Sequence, residues 1–254
     1  MAAGPLGTAA LRLASVAAVL GAWEWAGRVP VSTAFPSFTT TMAAAWELAE
    51  DGSLGRALLV TLVPLAIGIA ISAAFGIAAG IAMGLSRRAE WLGLPLFIVL
   101  QAAPLAALIP LLVLVYGAGL TAKVLTVCIM AVPVIVLNSY KAIRHAPASL
   151  VEMGHSFLGT RAQLVVKVIL PAASPVIFAG LRLGVAAGFI GAVLAELLIS
   201  PTGIGDLITY NQSIADYPKM FAAIAAVILF SVLVIGALER VEVAWFRPEK
   251  RDLA

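Results

Sequence analysis

Charge is scarce in this chain: 16 Lys and Arg and 13 Asp and Glu make up 11% of 254 residues, against a hydrophobic share of 62%. A soluble domain carries about 25% charged and roughly 45 to 50% apolar residues. The polar surface needed to cover a water-soluble core is therefore missing. Cysteine is almost absent as well. Cys128 stands alone, which excludes an intrachain disulfide, and with two histidines and no CxxC the chain offers no metal or redox centre. A GxxxxGK[ST] phosphate loop is lacking, so ATP hydrolysis by that route is excluded. The net charge of +3 is too mild to point to nucleic acid. No Ser/His/Asp set or paired carboxylates stand out, and no catalytic, cofactor-binding or metal-ligating residue is expected.

What is present is apolar sequence in long runs. A helix needs about 20 mostly apolar residues to cross the hydrocarbon layer, and six runs qualify: 9–26, 57–85, 92–116, 121–140, 173–199 and 219–241. The expected fold is an all-α polytopic membrane protein, one domain over 1–254 with six transmembrane helices. Arg12 and Glu24 leave the first run short, close in length to a signal-peptide core. Trp23 and Trp25 at its end read as interfacial anchors, which favours a retained helix. Positive residues stay on the cytoplasmic side. With the N-terminus inside, only Arg28, Arg56, Lys123 and Lys219 of the 16 fall outside, so both termini are expected in the cytoplasm.

Two spans carry small residues every fourth position: Gly68, Ser72, Gly76, Gly80 and Gly84 in the second, and Gly180, Gly184, Gly188 and Ala192 in the fifth. Such stripes let helices approach closely, either within the chain or at a subunit seam. The third span holds Pro95, Pro104 and Pro110 beside Gln101. Proline removes a backbone donor and bends or breaks a helix, and in a membrane the freed groups must face protein or a wet cavity. Gln101 and Pro104 are therefore candidates for a translocation path. Arg182 and Glu196, the ionisable residues of the fifth span, are weighed with them. Arg182 suits a gate or headgroup contact, and Glu196 the ordering of the outer segment Pro201–Lys219, in which a short helix is expected.

The coupling loop 145–172 is too apolar for a spacer. Pro147 can open a helix, after which Leu150, Val151, Met153, Phe157 and Leu158 form an apolar side beside Glu152 and His155. A helix of that kind needs a groove in its own bundle, in lipid or in another protein, and a docking helix is preferred. Glu152, Gly159, Arg161 and Ile169-Leu170-Pro171 resemble the EAA loop of ABC-importer permeases. The distance from Glu152 to Leu170-Pro171 matches, whereas Met153 and Gly154 replace the two alanines of the pattern, Leu158 stands at its glycine and Gly159 follows one later. FPS at Phe35–Ser37, GLSRR at Gly84–Arg88, LPAASPVIFAGLRLG at Leu170–Gly184, AELL at Ala195–Leu198 and GIGDLI at Gly203–Ile208 resemble the nitrate, sulfonate and taurine branch.

The resemblance implies a type I importer permease of the cytoplasmic (inner) membrane that moves a small solute, with a nitrate-, sulfonate- or taurine-like anion favoured over a thiamine-precursor pyrimidine or aromatic acid. It implies two partner ATPase subunits using ATP and Mg, a second permease copy, and an extracytoplasmic binding protein. It assigns ATPase coupling to Glu152, Met153, Gly154, Phe157, Leu158, Gly159, Arg161, Leu170 and Pro171. An ion-coupled secondary transporter, which would use more intramembrane acids, is the rival from another class.

Overall fold

The computed structural model describes residues 5–29, 32, 34–199 and 202–246. Among the described residues the chain is helical throughout, with turns between helices and no strand. The helices are α1 (Pro5–Arg28), α2 (Phe38–Glu50), α3 (Ser53–Leu85), α4 (Arg87–Ala102), α5 (Ile109–Tyr116), α6 (Leu120–Arg144), α7 (Ala148–Ser156), α8 (Arg161–Leu164), α9 (Leu170–Leu198), α10 (Gly203–Ser213) and α11 (Tyr217–Phe246). A 3₁₀ turn at Leu105–Leu108 leads into α5, and a π turn at Val165–Ile169 joins α8 to α9.

Among the described residues four stretches are long and apolar enough to cross a membrane: α3, α6, the run Arg161–Leu198, and Tyr217–Ala244 of α11. The expected third span is not one straight helix: α4 and Leu105–Tyr116 are apolar enough together, but they are turned through 90° at their break, the shape of a broken span or a re-entrant loop. Helix α1 has 24 residues, enough to span the hydrocarbon layer. Large apolar side chains such as Val63, Ile67 and Ile71 of α3 and Leu229, Val232 and Leu233 of α11 stay exposed, as lipid-facing surface does.

Two compact units arise, one from residues 1–59 with 202–228 and one from 60–201 with 229–254. In the larger, α6 is the centre: Ala122, Val127, Ala131, Ile135 and Val136 are fully buried. The small-residue stripes explain how its neighbours come so near. A Cβ on Gly68, Gly76, Gly80 or Gly84 of α3 would lie within 3 Å of Val127, Ile135, Ser139 or Ile143 of α6. Gly180 and Gly184 of α9 meet Asn138 and Ile135 in the same way. Both stripes thus serve packing within the chain. Phe97 of α4 joins Met83, Val136, Leu137 and Tyr140 in a core cluster.

The smaller unit has its own core, where Ala44 and Leu48 of α2 meet Ala222. Trp23 Nε1 donates to the carbonyl of Pro36 (3.1 Å), and its ring stands edge-on to Phe38. Trp23 thereby holds the Phe35–Ser37 segment, while Trp25 remains exposed. Helix α2 is absent from the expected elements. Its signals are Ser37, which caps it by accepting from Thr40 N (3.3 Å), and the buried series Thr41, Ala44 and Leu48.

Candidate coupling and translocation sites

The coupling loop folds as a helix, a turn and the start of a much longer helix. Pro147 precedes α7, which carries Glu152, Met153 and Gly154. Gly154 is buried because its missing side chain makes room for Leu164: a Cβ there would lie 2.3 Å from Leu164 Cδ2. Glu152 and Met153 are exposed.

Helix α7 ends in a Schellman turn, which satisfies carbonyls that would otherwise lack partners. Leu158 N donates to the carbonyl of His155 (2.9 Å) and Gly159 N to that of Gly154 (3.2 Å). The motif needs a left-handed residue just past the cap, a place glycine usually fills. Here it is Leu158, with φ of 56°, at a cost of roughly 1–2 kcal/mol for an L-residue. Gly159 meets a different demand, since a Cβ on it would lie 2.9 Å from the Gly154 carbonyl oxygen, a backbone atom that cannot swing aside. The one-residue displacement of glycine relative to the EAA pattern therefore has a structural basis. The turn also leaves Phe157 80% and Leu158 92% exposed.

Beyond the turn, Thr160 and Gln163 form a capping box: Gln163 N donates to Thr160 Oγ1 (3.3 Å) and Thr160 N to Gln163 Oε1 (2.9 Å). Helix begins at Arg161, whose side chain is exposed, and runs for 38 residues to Leu198. Leu170 and Pro171 lie within this run rather than opening a separate helix near 173. Proline supplies no N–H, so the carbonyl one turn back loses its acceptor role. The chain accommodates this by widening into the π turn, in which Leu170 N donates to the carbonyl of Val165.

In the third span the three prolines separate by position. Pro95 sits inside α4, and Pro110 lies in the first turn of α5, where a missing N–H costs nothing. Pro104 makes the break. The residue before a proline is driven out of the helical region, and Ala103 is extended, with φ of −70° and ψ of 148°. Beside this break lies a cavity of about 210 Å³ lined by Gln101, Ala103, Leu105, Met130, Pro133, Val134 and Ala187. Gln101 is its one side chain with hydrogen-bonding capacity, and no charged residue belongs to the lining.

Arg182 and Glu196 do not join that lining. The Arg182 guanidinium is hydrogen-bonded and ion-paired to the carboxylate of Glu242 on α11, which is 2% exposed. Glu196 is 1% exposed and accepts from Thr61 Oγ1 of α3 at 3.0 Å. Both act as ties between helices. Glu242 is a site partner that sequence reasoning missed, since 60 residues separate it from Arg182 and no local pattern links them.

The all-helical chain with several apolar spans has the type I importer permease fold. Residues 72–245 match the family described as "Binding-protein-dependent transport system inner membrane component". The chain is 39% identical to the riboflavin transport system permease protein RibX of Chloroflexus aurantiacus, over 79% of this chain and 76% of that protein. It is 33% identical to the putative aliphatic sulfonates transport permease protein SsuC of Escherichia coli, over 85% and 81%. It is 29% identical to the formylaminopyrimidine transport permease protein ThiX of Halalkalibacterium halodurans, over 73% and 74%. The chain belongs to this family of ABC-importer permeases and is a multi-pass membrane protein. It is not an enzyme: ATP hydrolysis falls to a partner ATPase, and a binding protein is the other partner the family implies.

Proposed function

We propose that two identical copies of this chain form the path of an importer in the cytoplasmic membrane, with six spans each, α1 being the first, and both termini in the cytoplasm. In this reading α7 docks in a groove of an ATPase subunit that uses ATP and Mg. The observation that carries it is the continuous helical run from Arg161 to Leu198, widened at a single π turn. A rigid rod leading from the docking turn into the bilayer can convert closure of an ATPase pair into rocking of α9 against its neighbours, exposing one path to alternating sides. Pro104 supplies the break beside which Gln101 lines the path, while the Arg182–Glu242 and Thr61–Glu196 ties hold the rocking helices together. In reconstituted vesicles, uptake is expected to require ATPase, nucleotide and binding protein together. Accumulation against a gradient by the permease alone would overturn the reading.

For the cargo, the uncharged wall around Gln101 supports an uncharged heteroaromatic solute, of the kind named for RibX and ThiX. A dehydrated oxyanion needs compensating positive charge, and the lining supplies none. An organosulfonate is the second reading, supported by the 85% of the chain that aligns with SsuC. Titrating the companion binding protein with a flavin, a pyrimidine and an alkanesulfonate separates the two: binding of the sulfonate alone would reverse the order.

A further inference from the structure

We infer that Phe157 and Leu158 form an apolar knob that seats in a socket of the ATPase subunit and determines which ATPase this permease accepts. The inference rests on the docking of α7 proposed above and goes beyond it, because it assigns partner choice to the turn rather than to the helix.

Three observations converge. The left-handed backbone at Leu158 disfavours any side chain with a Cβ, yet leucine occupies it. Among the described residues little packs on them, since Phe157 and Leu158 are both largely exposed, and a leucine at φ of 56° with so little cover is strained with no gain from burial. Strain of this kind persists where the surroundings enforce it and where it is used. The surroundings do enforce it: the two Schellman hydrogen bonds, the contact of Gly154 with Leu164 and the Thr160–Gln163 capping box fix the turn on both sides. The knob is thus held in one orientation before any partner arrives, which lowers the ordering cost of association.

The occupant follows from position and chemistry. The knob stands at the foot of the 38-residue rod, where an ATPase must grip for its motion to reach the bilayer. A socket that receives it must be apolar and deep enough for two large side chains. An ATPase shaped for a permease with glycine at this place offers no such depth, so Leu158 discriminates by fit as well as by attraction. Lipid is the competing occupant. Exposed Glu152, His155 and Arg161 around the knob disfavour burial among acyl chains.

The test uses the full permease in nanodiscs of neutral and of anionic lipid, each titrated with the purified ATPase. Leu158→Gly is expected to raise the melting temperature of the permease while weakening ATPase binding about tenfold or more. Leu158→Met, which keeps apolar bulk, should stay within about threefold of the parent. If Leu158→Gly binds the ATPase as tightly as the parent while Met153→Asp does not, the knob is refuted and helix docking stands. If neither change affects binding, the docking reading fails too. Weaker ATPase binding by Leu158→Gly in anionic nanodiscs alone, with binding intact in neutral ones, would make the knob a lipid anchor and overturn the inference.

Discussion

The chain builds the same device twice, with different residues at the critical place. Helix α7 and helix α10 are both short, both end in a Schellman turn, and both feed a long helix. In the second turn Ala215 N donates to the carbonyl of Gln212 (3.2 Å) and Asp216 N to that of Asn211 (2.9 Å), and Ala215 is left-handed, with φ of 58°. Neither turn uses glycine at that position. The α10 turn takes alanine, the smallest side chain that carries a Cβ. The α7 turn takes leucine and leaves it in the open. The two positions share nearly the same φ, so the contrast lies in the side chain, the feature on which the proposed knob depends.

The largest expected contrast concerns the ion pairs on the long helices. Replacing Arg182 by Gln leaves the carboxylate of Glu242 buried without its cation, and such breaks cost about 3–5 kcal/mol. Arg182 itself keeps 25% of its side chain exposed, which places the loss near the lower end. Lys219 near the start of α11 pairs with Glu47 at 3.3 Å, but Glu47 is 62% exposed, so Lys219→Gln should cost at most about 1 kcal/mol. Thermal unfolding of the two variants in the same detergent checks the ratio. Equal losses would mean that the Arg182–Glu242 tie is not a buried pair.

Next come the residues that follow the left-handed positions. Gly159→Ala drives a Cβ against the Gly154 carbonyl oxygen and should cost roughly 1–3 kcal/mol by overpacking. Its counterpart Asp216 accepts from Lys219 N (3.3 Å) as a cap, so Asp216→Ala should cost about 0.5–1 kcal/mol. Hydrogen exchange at the two turns resolves the difference. If Gly159→Ala is silent there, displacement of the glycine by one residue has no packing cause.

Glycine at the left-handed positions themselves should have smaller, favourable effects. Leu158→Gly and Ala215→Gly each relieve about 1 kcal/mol, or about 2–4 °C in a chain of this size. The comparison sharpens in the coupled assay: ATP-driven uptake should fall with Leu158→Gly and hold with Ala215→Gly. A fall in both would trace the loss to turn flexibility and not to the leucine side chain.

Much of this was legible in sequence. Hydropathy runs placed α3, α6 and α11 because a bilayer demands length and apolarity in one continuous stretch. The four-residue spacing of glycines named the faces that pack, though only the fold could show that their partner is α6 of the same chain. Thr160-x-x-Gln163 is a capping box written in sequence, and it sets the start of the rod at Arg161. The Leu170-Pro171 pair, which looks like a helix start, misleads because a π turn absorbs the proline. Gln101 and Pro104 could be named in advance since Pro104 constrains its own neighbour. The Arg182–Glu242 and Thr61–Glu196 contacts could not, for they depend on helices far apart in the chain coming to lie side by side.

The smallest expected effect belongs to acid. Asp51, just ahead of α3, accepts from Ser53 N at 2.7 Å. Hydrogen bonding to Ser53, helped by the positive charges of Arg56 and Lys219, holds its carboxyl below the usual carboxylate value. A group whose folded pKa is depressed contributes stability above its unfolded value, about 3.9 for aspartate, and loses it as the pH falls through the folded one. Melting temperature should therefore be flat in this respect above about pH 5 and decline below about pH 4. Asp51→Asn should remove that part of the decline and leave the Leu158→Gly contrast untouched, because α7 and its turn owe nothing to this carboxylate. A variant that altered both would show that the α7 turn draws on the charge at the start of α3, and the two turns could then no longer be treated as independent copies of one device.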